Sequence, residues 1–267
     1  MAVPLTAIPA RRGARVVVVA GPGATGARRG LRTLAGITGA TVVNTVGAKG
    51  LLAWDDPLHG GTVGLQEGDA ELAELLSADL VVTTGVDLSE SVSLTAALQA
   101  RGAAEPGSVV DVHPAHLALA AGGWPPADGP GARPPFYDAV AAVVGPLYQQ
   151  EGTAAWAAAR LAADLPPGGL VVAPPGPTGF WIGRTFPTAV AGSVVVPTGA
   201  PVGTAEGLAL AAAGEGRPTT LVTTEPVDLD GVTVEAWPRA MTHGDALDAL
   251  VAVSGRPDEA IWPGWSP

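Results

Sequence analysis

The 267-residue sequence contains no cysteine, which excludes disulfides, thiolate zinc sites and a cysteine nucleophile together. Lysine is almost as scarce: Lys49 is the only one among 14 basic side chains, set against 25 acidic ones for a formal charge of −11. A nucleic-acid binder normally presents a basic face, so that class is not expected. Charged residues make up only 15% of the chain while 47% is apolar, a balance that excludes extended disorder. No apolar run approaches the ~18 residues of a spanning helix. The mean hydropathy of +0.32 therefore points to a large core and not to a membrane. Residues 1–13 do not set a basic stretch ahead of an apolar one as a secretory signal does, and a cytoplasmic location is expected. G-x-S-x-G, H-E-x-x-H and G-x-x-x-x-G-K-[ST] are all missing, so serine hydrolase, zincin and P-loop readings lack their signatures.

What is present is a regular alternation of short elements, punctuated by 37 glycines and 26 prolines. After a tail over residues 1–14, Arg15 to Ala20 is a β-branched run bounded by Gly21, as expected of a strand buried on both faces. Residues 27–36 read as a helix with Gly36 as its stop, 40–46 as a strand, and 69–76 as a helix capped by Asp69. Strand 79–84, helix 91–100 and strand 108–112 follow. Such alternation implies a parallel sheet. Residues 122–135 are a linker by composition. An alanine-rich helical stretch then leads from Phe136 into a second α/β block, with strands near 170–173, 193–196 and 219–223 and helices at 204–213 and 245–253. The expected organisation is one domain over 15–121 and another over 136–262, each a doubly wound parallel sheet.

Gly21-Pro22-Gly23-Ala24-Thr25-Gly26 is a G-x-G-x-x-G between a strand and a helix, where backbone N–H groups can approach a phosphate. The acid that usually binds the ribose some twenty residues on is missing, since no Asp or Glu lies between Ala27 and Gly50. An ordinary NAD site is therefore disfavoured, and a tight strand-to-helix turn is the plainer reading. His59, His113, His116 and His243 are the available histidines. Asp111, His113 and His116 form a loose D-x-H-x-x-H, a poor metal signature interrupted by Pro114, and no metal ligand set is assigned. Gly85 ends a strand where ligands often bind, while Asp87 reads better as a cap. Trp181 and Trp237 are read as packing.

The order of these pieces resembles thiamine-diphosphate-dependent enzymes of the acetolactate synthase type. The resemblance rests on Val16 to Gly26, Ala48-Lys49-Gly50, Pro57 with Gly61 and Gly64, Ala78-Asp79-Leu80-Val81-Val82 through Gly85, and Asp111-Val112-His113-Pro114. It implies a central domain of Rossmann-like, DHS-like NAD/FAD-binding fold, which holds FAD in some relatives and is structural in many. Residues 165–262 are similar to the family's diphosphate-binding domain, with Gly199 to Ala209 resembling its helix entry. The family's G-D-G and later Asn, which hold Mg²⁺, are replaced by Glu225-Pro226-Val227-Asp228, as if the metal-anchoring segment were deleted. Nothing in the sequence resembles the pyrimidine-binding domain, whose glutamate activates the cofactor.

Two readings follow. In the first, the chain lacks its own catalytic centre and is a companion subunit or pseudoenzyme, a homo-oligomer or a hetero-oligomer with a chain bearing the pyrimidine domain; thiamine diphosphate and Mg²⁺ would bind only with that partner. In the second, the first domain binds FAD, NADP or another adenine nucleotide. Gly21, Gly23 and Gly26 would then approach phosphates, with Lys49 as charge partner, Gly85 and Asp111 facing the ligand, and one of Arg28 and Arg29 meeting a 2′-phosphate. An enzyme of unrelated chemistry on the same scaffold is the remaining alternative.

Overall fold

The computed structural model describes residues 5–10, 13–127, 129 and 131–265. The first unit holds strands β1 (Val16–Ala20), β2 (Thr41–Asn44), β3 (His59–Thr62), β4 (Leu80–Thr84) and β5 (Val109–Asp111), with helices α1 (Arg28–Thr38), α2 (Asp69–Leu72), α3 (Val92–Ala104) and α4 (Leu117–Ala120). Its strands are all parallel, in the order β3-β2-β1-β4-β5. Alternate residues of a strand point to opposite faces. Val16, Val18, Ala20, Val42 and Val82 therefore pack with Leu31, Leu34 and Leu117 of α1 and α4, while Val17, Val19, Val43 and Val81 face the other way. Both faces are covered, which is why β1 reads as an unbroken β-branched run.

Helices α5 (Pro135–Leu147) and α6 (Ala154–Asp164) lead into a second unit containing β6 (Leu170–Val172), α7 (Pro177–Thr185), β7 (Val194–Val195), α8 (Thr204–Gly214), β8 (Thr219–Thr223), β9 (Thr233–Ala236), α9 (Arg239–Thr242) and α10 (Asp245–Ser254). Its four strands are again parallel, ordered β7-β6-β8-β9. Val17, Val19 and Val81 of the first sheet share one buried cluster with Val171 and Val222 of the second, joined through Phe136, Val140, Phe180, Trp181 and Trp262. The two sheets thus lean on a common core. Leu170, Val172 and Leu221 face the opposite way, beneath Ala205 and Ala209 of α8. No helix among the described residues is long and apolar enough to cross a membrane.

Several elements differ from the sequence reading. Helix α1 runs through Gly36 and stops at Gly39, whose left-handed backbone (φ 70°) closes it. Helix α2 is a single turn, and Asp69 does not cap it; its carboxylate accepts from the amides of Leu65 and Gln66 instead. Strands β3 and β9 and helices α4, α7 and α9 are additions, and Trp181 and Trp237 are fully buried, as packing requires.

Candidate functional site

In an open parallel sheet, ligands gather beyond the carboxyl ends of the strands where the strand order reverses. Here that point lies between β1 and β4. The Gly-rich turn after β1 meets the turn after β4 backbone to backbone: the Gly21 amide donates to Thr84 O at 2.9 Å and the Gly23 amide to Gly85 O at 2.9 Å. A Cβ on Gly21 would lie 2.3 Å from Val86 Cα, and one on Gly85 (φ +57°) 2.5 Å from the Ala24 nitrogen. These glycines let two loops interlock, and the Gly21 and Gly23 amides are already engaged. Gly85→Ala is expected to cost more than about 1 kcal/mol, because it adds a clash to a left-handed backbone. A urea titration checks this.

Gly26 is different. A Cβ there would meet nothing within 4 Å, and the residue borders a crevice of about 530 Å³ shared with Gly23, Arg29, Gly30, Thr33 and His113. Asp111 ends β5 exposed and accepts from the Thr83 hydroxyl at 2.8 Å. His113 and His116 lie ring to ring at 5.5 Å. No group of three or more His, Asp or Glu side chains able to hold a metal ion occurs among the described residues.

Lys49 lies apart from that crevice, on the loop after β2. Its ammonium is buried without a hydrogen-bond partner, 5.3 Å from the Trp54 ring. Burial, reinforced by the Arg184 charge, lowers its pKa from 10.5 to about 7. His59 is lowered to about 4, first by burial and then by Lys49; its Nε2 lies 2.8 Å from Asn44 Oδ1. Earlier on the same loop the Thr45 hydroxyl donates to Glu90, which packs on Gly47, where a Cβ would sit 2.0 Å from the Glu90 Oε1. Burial raises the Glu90 pKa. Lys49 is therefore an interior side chain of the loop that meets the second unit, where Trp54 N donates to Thr188 O at 2.9 Å.

At the carboxyl ends of β6 and β7 a second cleft, of about 320 Å³, is lined by Pro174, Pro175, Gly199 to Glu206, Ala260, Ile261 and Pro263. Helix α8 begins on its wall after Gly203. Four of the lining residues are prolines, which carry no amide donor, and the one charged side chain is Glu206. Asp228 and Asp230 stand exposed on the crossover after β8, outside this lining. A diphosphate bridged by Mg²⁺ needs amide or cationic donors for its phosphates and hard oxygen ligands around the metal. With no cationic side chain and a single carboxylate in the lining, the cleft does not fit it.

Two parallel sheets with helices on their faces, each with a cleft at its strand ends, define an α/β protein of two units. Comparison with known proteins gives the class. Residues 11–121 match the family described as "Thiamine pyrophosphate enzyme, central domain". The fold is also similar to an X-ray structure of a protein assigned as a thiamin diphosphate-dependent enzyme, isolated from Mycobacterium smegmatis. The TM-score is 0.52 at 16% identity, covering 78% of this chain and 44% of that one. The chain thus spans less than half the length of that structure. No curated protein matches. Residues 11–121 are thus similar to that family's central domain, and a second parallel α/β unit follows them.

Proposed function

We propose that the chain is a companion subunit or pseudoenzyme of an acetolactate synthase- or decarboxylase-type thiamine enzyme, with no catalytic centre of its own. The observation that carries this reading is the proline-lined cleft at β6 and β7, where Glu206 adds negative charge beside the start of α8. An anion is favoured at a helix N-terminus, but here a carboxylate already stands there and the lining holds no cationic side chain. Thiamine diphosphate would then be gripped mainly by a second chain. Purification from the native source is expected to yield a stoichiometric hetero-oligomer whose other chain carries a pyrimidine-binding domain, with carboligase or decarboxylase activity in the complex alone. Activity of the isolated chain with thiamine diphosphate and Mg²⁺ would contradict the reading.

A second reading is favoured by the crevice at Gly26: Arg29 and His113 line it beside a glycine with free space around it, a cation and room that the phosphates of an adenine nucleotide would need. Gly26, more than Gly21 or Gly23, would approach the phosphates. FAD, NADP or ADP at 100 times its Kd should add about 2.7 kcal/mol of apparent stability, and Arg29→Ala should abolish the gain. A thermal-shift series in which none of the three raises Tm rejects this reading.

A further inference from the structure

The outer face of α8 is apolar and uncovered. Its inward side is Ala205 and Ala209. The opposite arc carries Gly207, Ala211 and Gly214, flanked by Leu208 (39% exposed) and Leu210 (41% exposed). Just before the helix, Val202 is fully exposed at the mouth of the proline-lined cleft. A helix that is apolar on every side normally belongs in an interior. The cause of the exposure is visible in the topology. Parallel strands β8 and β9 are joined by residues 224–232 alone, whereas a crossover of that kind usually takes a dozen or more residues and includes a helix. The short crossover runs beside α8, with Leu229 and Val232 packed in the same cluster as Ala205 and Ala209. It leaves the outer flank of α8 without a neighbouring helix.

The segment that carries this face and the crossover beside it is mainly of one sign. Residues 201–231 contain five acidic side chains, Glu206, Glu215, Glu225, Asp228 and Asp230, and one basic one, Arg217. Arg217 is engaged by the carbonyls of Gly168, Gly169 and Gly192. A second copy of the chain would bring the same negative segment to the contact. We propose that the α8 face, from Val202 to Gly214, is the docking surface for a different protein chain that presents an apolar helix flanked by lysines or arginines. The partner's ridge would lie along Gly207, Ala211 and Gly214 between Leu208 and Leu210, and its basic flanks would meet the acidic segment. This names the contact made by the companion subunit and rests on that reading.

The test uses the tagged full-length chain recovered from its native source, with the co-purified partner identified by mass spectrometry. The double substitution Leu208→Glu, Leu210→Glu adds negative charge. Charge attraction alone would therefore hold a basic partner more tightly, while loss of an apolar contact releases it. The expected result is at least a tenfold loss of recovered partner, with the circular dichroism spectrum and Tm kept. A benzoylphenylalanine placed at Ala211 should also photocrosslink to a helix of the partner with basic flanks. If a partner co-purifies and the double variant retains it, or the crosslink falls on an acidic surface or a second copy of this chain, the docking surface is wrong while the companion reading stands. If no stoichiometric partner is recovered, the companion reading falls and the surface assignment with it.

Discussion

Asp69→Asn is expected to lower the free energy of unfolding by about 3–5 kcal/mol, the cost of stranding a buried guanidinium. The Asp69 and Arg184 side chains are each 1% exposed. Arg184 Nη2 donates to both carboxylate oxygens at 2.8 Å, and its Nη1 donates to Thr62 O at 2.9 Å. The same carboxylate accepts from the Leu65 and Gln66 amides and, at 2.6 Å, from the Ser254 hydroxyl. One acid thus ties the β3–α2 turn of the first unit to α7 and to the end of α10. An asparagine offers a single acceptor oxygen and no charge. Replacing both partners, as in Asp69→Leu with Arg184→Met, should restore only the part owed to the stranded guanidinium, because the Leu65 and Gln66 amides and the Ser254 hydroxyl still lose their acceptor. Urea unfolding of the three variants reads the effect. A loss below about 1 kcal/mol for Asp69→Asn would mean that the two units are not held through this contact.

Lys49→Met is expected to stabilise the protein at neutral pH and to flatten its stability between about pH 7 and 10.5, the window set by the lowered pKa of Lys49. In that window the unfolded chain carries the Lys49 proton and the folded chain does not, so stability of the natural protein rises with pH. The slope is at most about 1.4 kcal/mol per pH unit. Below the window both states are protonated and this contribution is level. His59 acts in the same direction at lower pH. Its folded-state pKa of about 4 lies below the ordinary 6.5, so stability falls as pH drops from 6.5 towards 4. Unfolding curves across pH 4–10.5 separate the two residues: Lys49→Met removes the upper limb and only shrinks the acid limb, since burial is the larger cause of the His59 shift and the Lys49 charge the lesser. A variant whose upper limb keeps the natural slope would show that Lys49 is charged in the folded protein.

Much of the scaffold is legible in the chain because local and tertiary demands agree. The β-branched run of β1, the Gly-rich turn behind it and the 219–223 strand are where their patterns place them. Strand β3 is not legible, since His59-Gly60-Gly61-Thr62 has no strand pattern. It forms because β2 accepts it through a register shift between Val42 and Val43, and because Gly61 (φ +116°) makes room for Phe136. Helix α7 hides for the opposite reason: Thr178 to Thr185 are all buried, so no polar face marks a period. The Gly-rich loop shows the limit of motif reading. Its spacing suits a phosphate, yet Gly21 and Gly23 are engaged with the β4 turn, and only the three-dimensional contact with Gly85 reveals it. The Asp69–Arg184 clasp joins residues far apart in sequence, which no local pattern can pair.

We propose that a scaffold similar to that of thiamine enzymes persists here without the groups that grip the diphosphate. Isothermal titration of the isolated chain with thiamine diphosphate and Mg²⁺ tests it most directly. No saturable heat is predicted up to about 1 mM cofactor, a level that corresponds to a binding free energy of only about −4 kcal/mol. Saturable, Mg²⁺-dependent binding at micromolar concentration, abolished by substitutions at the proline-lined cleft, would contradict it.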